Sequence, residues 1–206
     1  MDILVTGFGP FPRVRVNPTT VLARAVAARL RRSGLHAQAL VVETSYGAGL
    51  PALRTYLTTT GPKAILMLGL AARAWNVRVE LFARGHASPL HPDVAGGTPD
   101  RAAPRRPALP ARTTGNAQVA LAALRRSGIR SRLSPSAGRY LCDACYAAAL
   151  AVSGPAGTPV LFVHVPWLRP AAGQRPRTQV AWFRPDAVRL VDSLSAIGLA
   201  MVRQGR

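Results

Sequence analysis

The chain has 206 residues and a mass of 21.8 kDa, with 27 basic against 8 acidic side chains, a net charge of +19 and a pI near 11.9. Its hydrophobic share of 49% excludes a disordered basic tail and is enough for a sizeable core, expected as one domain over 1–206. No apolar run approaches the roughly 18 residues of a membrane helix. Met1–Gly7 lacks a secretory pattern, and two cysteines make no disulfide framework, so a cytoplasmic, non-membrane protein is expected. Lys63 is the only lysine, and Glu43 and Glu80 are the only glutamates. The arginine excess by itself suits either a nucleic-acid partner or a drifted surface composition.

In chain order, Ile3–Thr6 is β-branched, ends at Gly7 and reads as a buried parallel strand. Asn17-Pro18 supplies an N-cap and a first-turn proline for a helix carrying Leu22, Val26 and Leu30, which stops at Gly34. Ala37–Val42 reads as strand, Leu50–Tyr56 as helix, and Ala64–Leu68 as strand before a Gly69-Leu70-Ala71 turn. Asn116–Leu124 is expected to be helix, Ile129–Leu133 strand, Cys142–Val152 helix, Val160–Val165 strand and Ala187–Met201 a closing amphipathic helix. The alternation predicts an α/β fold, a three-layer α/β/α sandwich with a mostly parallel central sheet.

The pairs Arg31-Arg32 and Arg125-Arg126, each followed by Ser-Gly, complement helix dipoles at helix ends, so four arginines have a structural reading. The segments 84–114 and 166–185 are rich in proline and arginine and lack periodicity. Stretches of this length are lids, binding loops or oligomer contacts, with disorder as the alternative.

Three residue types fit acyl transfer. Cys142 stands where a helix begins, a position whose free amides and dipole favour a thiolate. His164 ends an apolar strand, where sites assemble in parallel sheets. Glu80 closes Val77-Arg78-Val79-Glu80. Together they provide nucleophile, base and orienter, although spacing alone does not bring them together. Taken singly, a helical cysteine is more often a small buried hydrophobe. Cys142-Asp143-Ala144-Cys145 is also a C-x-x-C, which leaves a redox pair open. His36, His86 and His91 supply no second ligand pair for zinc, so no metal is expected.

Four stretches in order resemble the pyroglutamyl-peptidase I family of cysteine peptidases: ILVTGFGPF with the following NP, GLAARAWNVRVE, SAGRYLCDACY and LFVHVPWL. The resemblance implies that Cys142 is the nucleophile, His164 the base and Glu80 its orienter, with no metal or organic cofactor. It implies that Phe8, Phe11, Thr44 and Tyr140 line a slot for the neutral lactam ring, with Leu141 beside it. The implied substrate is a peptide with an N-terminal pyroglutamate, and the family's habit implies a homodimer or homotetramer.

The chain also departs from the family's pattern. Gly9 stands where an acidic residue is usual, Ala72-Arg73 replaces paired glycines, and Leu81–Gly85 departs from the segment after the glutamate. Leu90 stands in place of an arginine near the active site, with Arg84 as a possible substitute. These departures leave open a relative that binds a peptide or small amide without turning it over. No nucleic-acid motif accompanies the charge, and aromatic residues are only 6%, so nucleic acid is not the expected partner.

Overall fold

The computed structural model describes residues 1–85, 88–99, 110–170 and 181–205. Among the described residues, six strands form the main sheet: β1 (Ile3–Phe8), β2 (Ala37–Val42), β3 (Ile65–Leu70), β4 (Val77–Glu80), β7 (Ser131–Ser134) and β8 (Val160–Val165). Their order is β2-β1-β3-β8-β4-β7. Neighbours pair in parallel except β4 and β8, which run antiparallel with Arg78 opposite His164 and Glu80 opposite Phe162. The expected mostly parallel sheet is therefore present, with β4 and β7 reversed as a pair at one side. A short antiparallel pair, β5 (Phe82–Ala83) and β6 (Ala111–Arg112), ties together the two ends of the first proline-rich segment. Sequence periodicity missed it because two-residue strands have no period to read.

Among the described residues, five α-helices cover the sheet: α1 (Pro18–Arg32), α2 (Gly49–Thr60), α3 (Ala117–Arg126), α4 (Leu141–Ser153) and α5 (Ala187–Gln204). Strand side chains alternate between two apolar layers. Leu161, Val163 and Val165 of β8 join Leu22, Val26 and Leu30 of α1, Leu124 of α3, and Leu190, Leu194 and Ile197 of α5. Phe162 turns the other way and meets Leu53 and Leu57 of α2 and Leu141, Cys145 and Tyr146 of α4. These two layers around one sheet are the expected sandwich.

Local signals explain most boundaries. Asn17 Oδ1 accepts the Thr19 N–H at 3.1 Å, and Pro18 opens α1. At the other end Arg29, Arg31 and Arg32 occupy the last turn, with Gly34 beyond it at φ 84°. The second punctuation repeats this, with Arg125 and Arg126 in the last turn of α3 and Gly128 at φ 69°. Some boundaries differ from the sequence reading: Gly7, expected to end β1, lies inside Ile3–Phe8, and β7 starts at Ser131, not Ile129. Gly69 and Leu70 are not a turn but the end of β3, held there by pairing with His164 and Val165. Much of both proline-rich segments, including 100–109 and 171–180, lies outside the described residues, as does His86.

Candidate active site

The imidazole of His164 is fixed from three sides. Its Nδ1 lies 2.9 Å from Glu80 Oε1, across the single antiparallel pairing of the sheet. An ionised carboxylate can only accept, so Nδ1 carries the proton of the neutral ring and Nε2 keeps its lone pair. The ring packs on Phe162 with centroids 4.7 Å apart, and Phe162 in turn meets Tyr146 at 5.4 Å. On the third side lies Gly69, its register partner on β3. A Cβ there would come within 2.8 Å of His164 Cδ2 and Nε2, so only glycine leaves room for the ring in this pose. Glu80 is fully buried, and its Oε2 has no hydrogen-bond partner among the described residues. The Tyr146 hydroxyl donates to the Glu80 carbonyl at 3.2 Å, tying α4 to β4.

Cys142 is partly exposed as a residue, but its thiol is buried; it occupies the second position of α4, one helical turn before Tyr146 and on the same face. That face lies over Phe162, which packs against His164. No hydrogen bond joins the thiol to the His164 ring in this resting arrangement. The helix start was expected to favour the thiolate, and here the balance runs the other way. Burial, then the charges of Glu80 and Asp143, push the thiol up to about 12, against a smaller lowering by a backbone hydrogen bond. Asp143 is buried and accepts the Arg84 N–H at 2.9 Å, so a carboxylate sits beside the nucleophile's own helix turn. Cys145 is fully buried in the apolar layer, its thiol pushed up chiefly by burial, and both cysteines are free. Of the two readings of Cys145 left open by the sequence, this is the packing environment of a small hydrophobe.

The other expected residues fall into two groups. Phe11 and Tyr140 approach with centroids 6.4 Å apart, and Thr44 is buried, donating from Oγ1 to Gly9 O at 3.2 Å. Phe8 and Leu141 are 2% and 0% exposed and belong to the apolar layer, Phe8 against Phe162 at 6.3 Å. They form the floor of this region, not an open wall. Leu90 is 82% exposed. The Arg84 side chain is occupied, its Nε donating to Pro135 O at 3.2 Å.

Two residues escaped the sequence reading. Tyr46 stands edge-on to Tyr140 with centroids 6.1 Å apart and so joins the aromatic wall. Asp93 is buried and accepts from Tyr46 N at 2.7 Å, Ala95 N at 2.9 Å and Gly97 N at 2.7 Å. With Val94 N donating to Thr44 O at 3.1 Å and the Tyr140 hydroxyl to Pro92 O at 3.3 Å, it fastens the 88–99 loop over the aromatic wall. The available signal was weak, since Pro92-Asp93 and Pro99-Asp100 are alike in sequence and nothing local separates them. Among the described residues, no group of three or more His, Cys, Asp or Glu side chains is placed to hold a metal ion.

A thiol at a helix start, a carboxylate-anchored imidazole and an adjoining aromatic wall on an α/β sheet have the constitution of a cysteine hydrolase. Comparison with known proteins narrows the class. Residues 1–181 match the pyroglutamyl peptidase family, and the chain belongs to that family. It is 33% identical over 180 residues to a pyrrolidone-carboxylate peptidase of Gloeobacter violaceus, covering 85% of this chain and 86% of that one. A second, from Streptomyces coelicolor, is 33% identical over 171 residues, covering 80% and 77%. The crystal structure of the pyrrolidone carboxyl peptidase from Thermus thermophilus superposes with a TM-score of 0.78 at 29% identity, over 97% of this chain and 99% of that one.

Proposed function

We propose that this protein is a cysteine peptidase that hydrolyses the amide bond after an N-terminal pyroglutamyl residue, with Cys142, His164 and Glu80 as its catalytic residues. The observation that carries the reading is the buried 2.9 Å contact between His164 Nδ1 and Glu80 Oε1, beside the α4 start that bears Cys142. With Nδ1–H committed to Glu80, Nε2 is the base. A thiol pushed up to about 12 is protonated at rest, so its proton passes to Nε2 as Sγ attacks the scissile carbonyl, not beforehand.

The carbonyl oxygen becomes an oxyanion facing the backbone N–H at Cys142, unused by the first turn of α4. Glu80 stabilises the imidazolium formed. Collapse breaks the C–N bond, the imidazolium gives its proton to the leaving amine, and the acyl group remains as a thioester. Water, deprotonated by Nε2, then releases pyroglutamate and returns the thiol. Phe11, Thr44, Tyr46 and Tyr140 supply the apolar slot that a neutral lactam needs, over a floor of Phe8 and Leu141. Among the described residues, no helix is long and apolar enough to cross a membrane.

The test is cleavage of a pyroglutamyl fluorogenic amide across pH 6 to 9. Cys142→Ala is expected to abolish turnover, a loss of at least about 10³-fold, while Cys145→Ala keeps it within about threefold. Folded wild-type protein without turnover would leave only a binding role for this chain. Loss confined to Cys145→Ala would overturn the choice of nucleophile.

A further inference from the structure

The sheet sets the direction in which a substrate must lie. Phe8 ends β1 and Phe11 follows it, while Thr44 and Tyr46 follow β2, so the proposed lactam slot stands on the β1–β2 side of His164. β4 and β7 lie on the opposite side. A row of register partners crosses the sheet through the catalytic ring: Gly69, His164, Arg78 and Arg132. Residues two apart on a strand share a face, so Arg78 projects to the face on which Glu80 reaches His164, and Arg132 beside it does the same. By strand spacing they stand about 5 and 10 Å from His164 across the sheet.

Both arginines line a surface cavity together with Arg73, Trp75 and Asn76. Its wall is held in place: Trp75 stacks on Phe183 with centroids 5.8 Å apart, and Asn76 Oδ1 accepts from Arg130 Nε at 3.3 Å. Arg132 is on the outermost strand of the sheet, where a charge guards an exposed edge. Arg78 is on an inner strand, where that reason fails. Among the described residues, no ion pair involves Arg73, Arg78 or Arg132. A guanidinium beside a ring that turns positive during catalysis is unfavourable until an anion joins it.

We infer that Arg78 and Arg132 receive the leaving chain and favour substrates with acidic residues directly after the pyroglutamyl residue. This rests on the proposed function. His164 Nε2 hands its proton to the leaving amine, so the leaving chain starts at His164, and the lactam fills the β1–β2 side. The chain is therefore directed over β4 and β7. An extended peptide advances about 3.3 Å per residue, so side chains of the first two leaving residues span the distance to the two guanidiniums. Each guanidinium offers a carboxylate two parallel N–H donors.

The test compares pyroglutamyl-Glu-Glu-amide with its uncharged counterpart pyroglutamyl-Gln-Gln-amide. At about 0.02 M salt the wild type should show a kcat/KM roughly tenfold higher for the acidic peptide, shrinking to about twofold in roughly 0.5 M NaCl. Arg78→Gln/Arg132→Gln should bring the ratio to about one. Arg125→Gln/Arg126→Gln removes the same charge from the end of α3 and should keep the full ratio, which separates a local site from the general pull of a +19 protein. Equal kcat/KM on the two peptides in the wild type would overturn the inference, whether or not the variants fold. So would a ratio that survives Arg78→Gln/Arg132→Gln, or one that collapses equally in Arg125→Gln/Arg126→Gln. A wild type that cleaves neither peptide nor the pyroglutamyl fluorogenic amide would instead overturn the function on which the inference rests.

Discussion

Cys142 stands between two opposing fields. The start of α4 favours a thiolate by its free amides, while burial and the carboxylates of Glu80 and Asp143 oppose it and prevail. A site built this way stores no preformed thiolate–imidazolium pair and generates its nucleophile only when His164 takes the proton. Alkylation of the free enzyme by iodoacetamide should therefore accelerate steadily from pH 6.5 to 9.5, about tenfold per unit, without levelling off. A plateau below pH 8 would mean that the ion pair already exists at rest. The sequence displayed the helix start but not the burial and charges that oppose it. Asp143 reads as an ordinary first-turn acid until the fold buries it, and the approach of Glu80 is a tertiary fact.

At the scale of elements, the imidazole depends on the register between β3 and β8. Gly69 lies opposite His164, and the missing side chain is the space the ring occupies. Gly69→Ala would place a methyl group 2.8 Å from Nε2, too close for any real contact. The ring must then leave either Glu80 or its path to Cys142. The expected result is a fall in kcat of about 10- to 100-fold at nearly constant KM, with a smaller loss of thermal stability from the crowded strand. A normal kcat would show that His164 does not act from this pose.

His164 at the end of an apolar strand was legible from the run Val160–Val165. The function of Gly69 was not, because a glycine after an apolar run reads as a turn, and only cross-strand register gives it a neighbour. The same holds for Asp93. Its three backbone donors come from segments as far apart in sequence as Tyr46 and Gly97, and no local pattern announces such a clasp.

For the whole molecule, the +19 charge does not choose the function. With 27 basic side chains against 8 acidic ones, most of the positive charge has no carboxylate to pair with; among the described residues Arg29–Asp192 and Lys63–Asp2 are ion pairs between partly exposed side chains. Arginine keeps its charge beyond pH 12, and the response to alkali is left to the buried thiols and phenols. In the folded protein the Cys142 thiol is raised from 9.0 to about 12 and Tyr140 from 10.0 to about 12, both chiefly by burial, with Cys145, Tyr46 and Tyr146 also raised.

Between the unfolded and folded values, the unfolded chain has released protons that the folded one still holds, so the unfolded state binds fewer and stability falls as pH rises. The stabilisation is complete below pH 9 and is lost from there towards pH 12. Loss of protons also lowers the net positive charge, which would stabilise the fold by easing repulsion. That effect is screened over roughly 8 Å in 0.15 M salt, whereas the buried groups are sheltered from it. The burial effect should therefore prevail, and the melting temperature in 0.15 M NaCl should drop steadily from pH 8.5 to 10.5. In the Cys142→Ala/Cys145→Ala double variant the drop should be shallower, whatever its starting stability. A flat profile in the wild type, or equal slopes in both proteins, would place the thiols in contact with solvent and remove the burial that the resting-thiol mechanism requires.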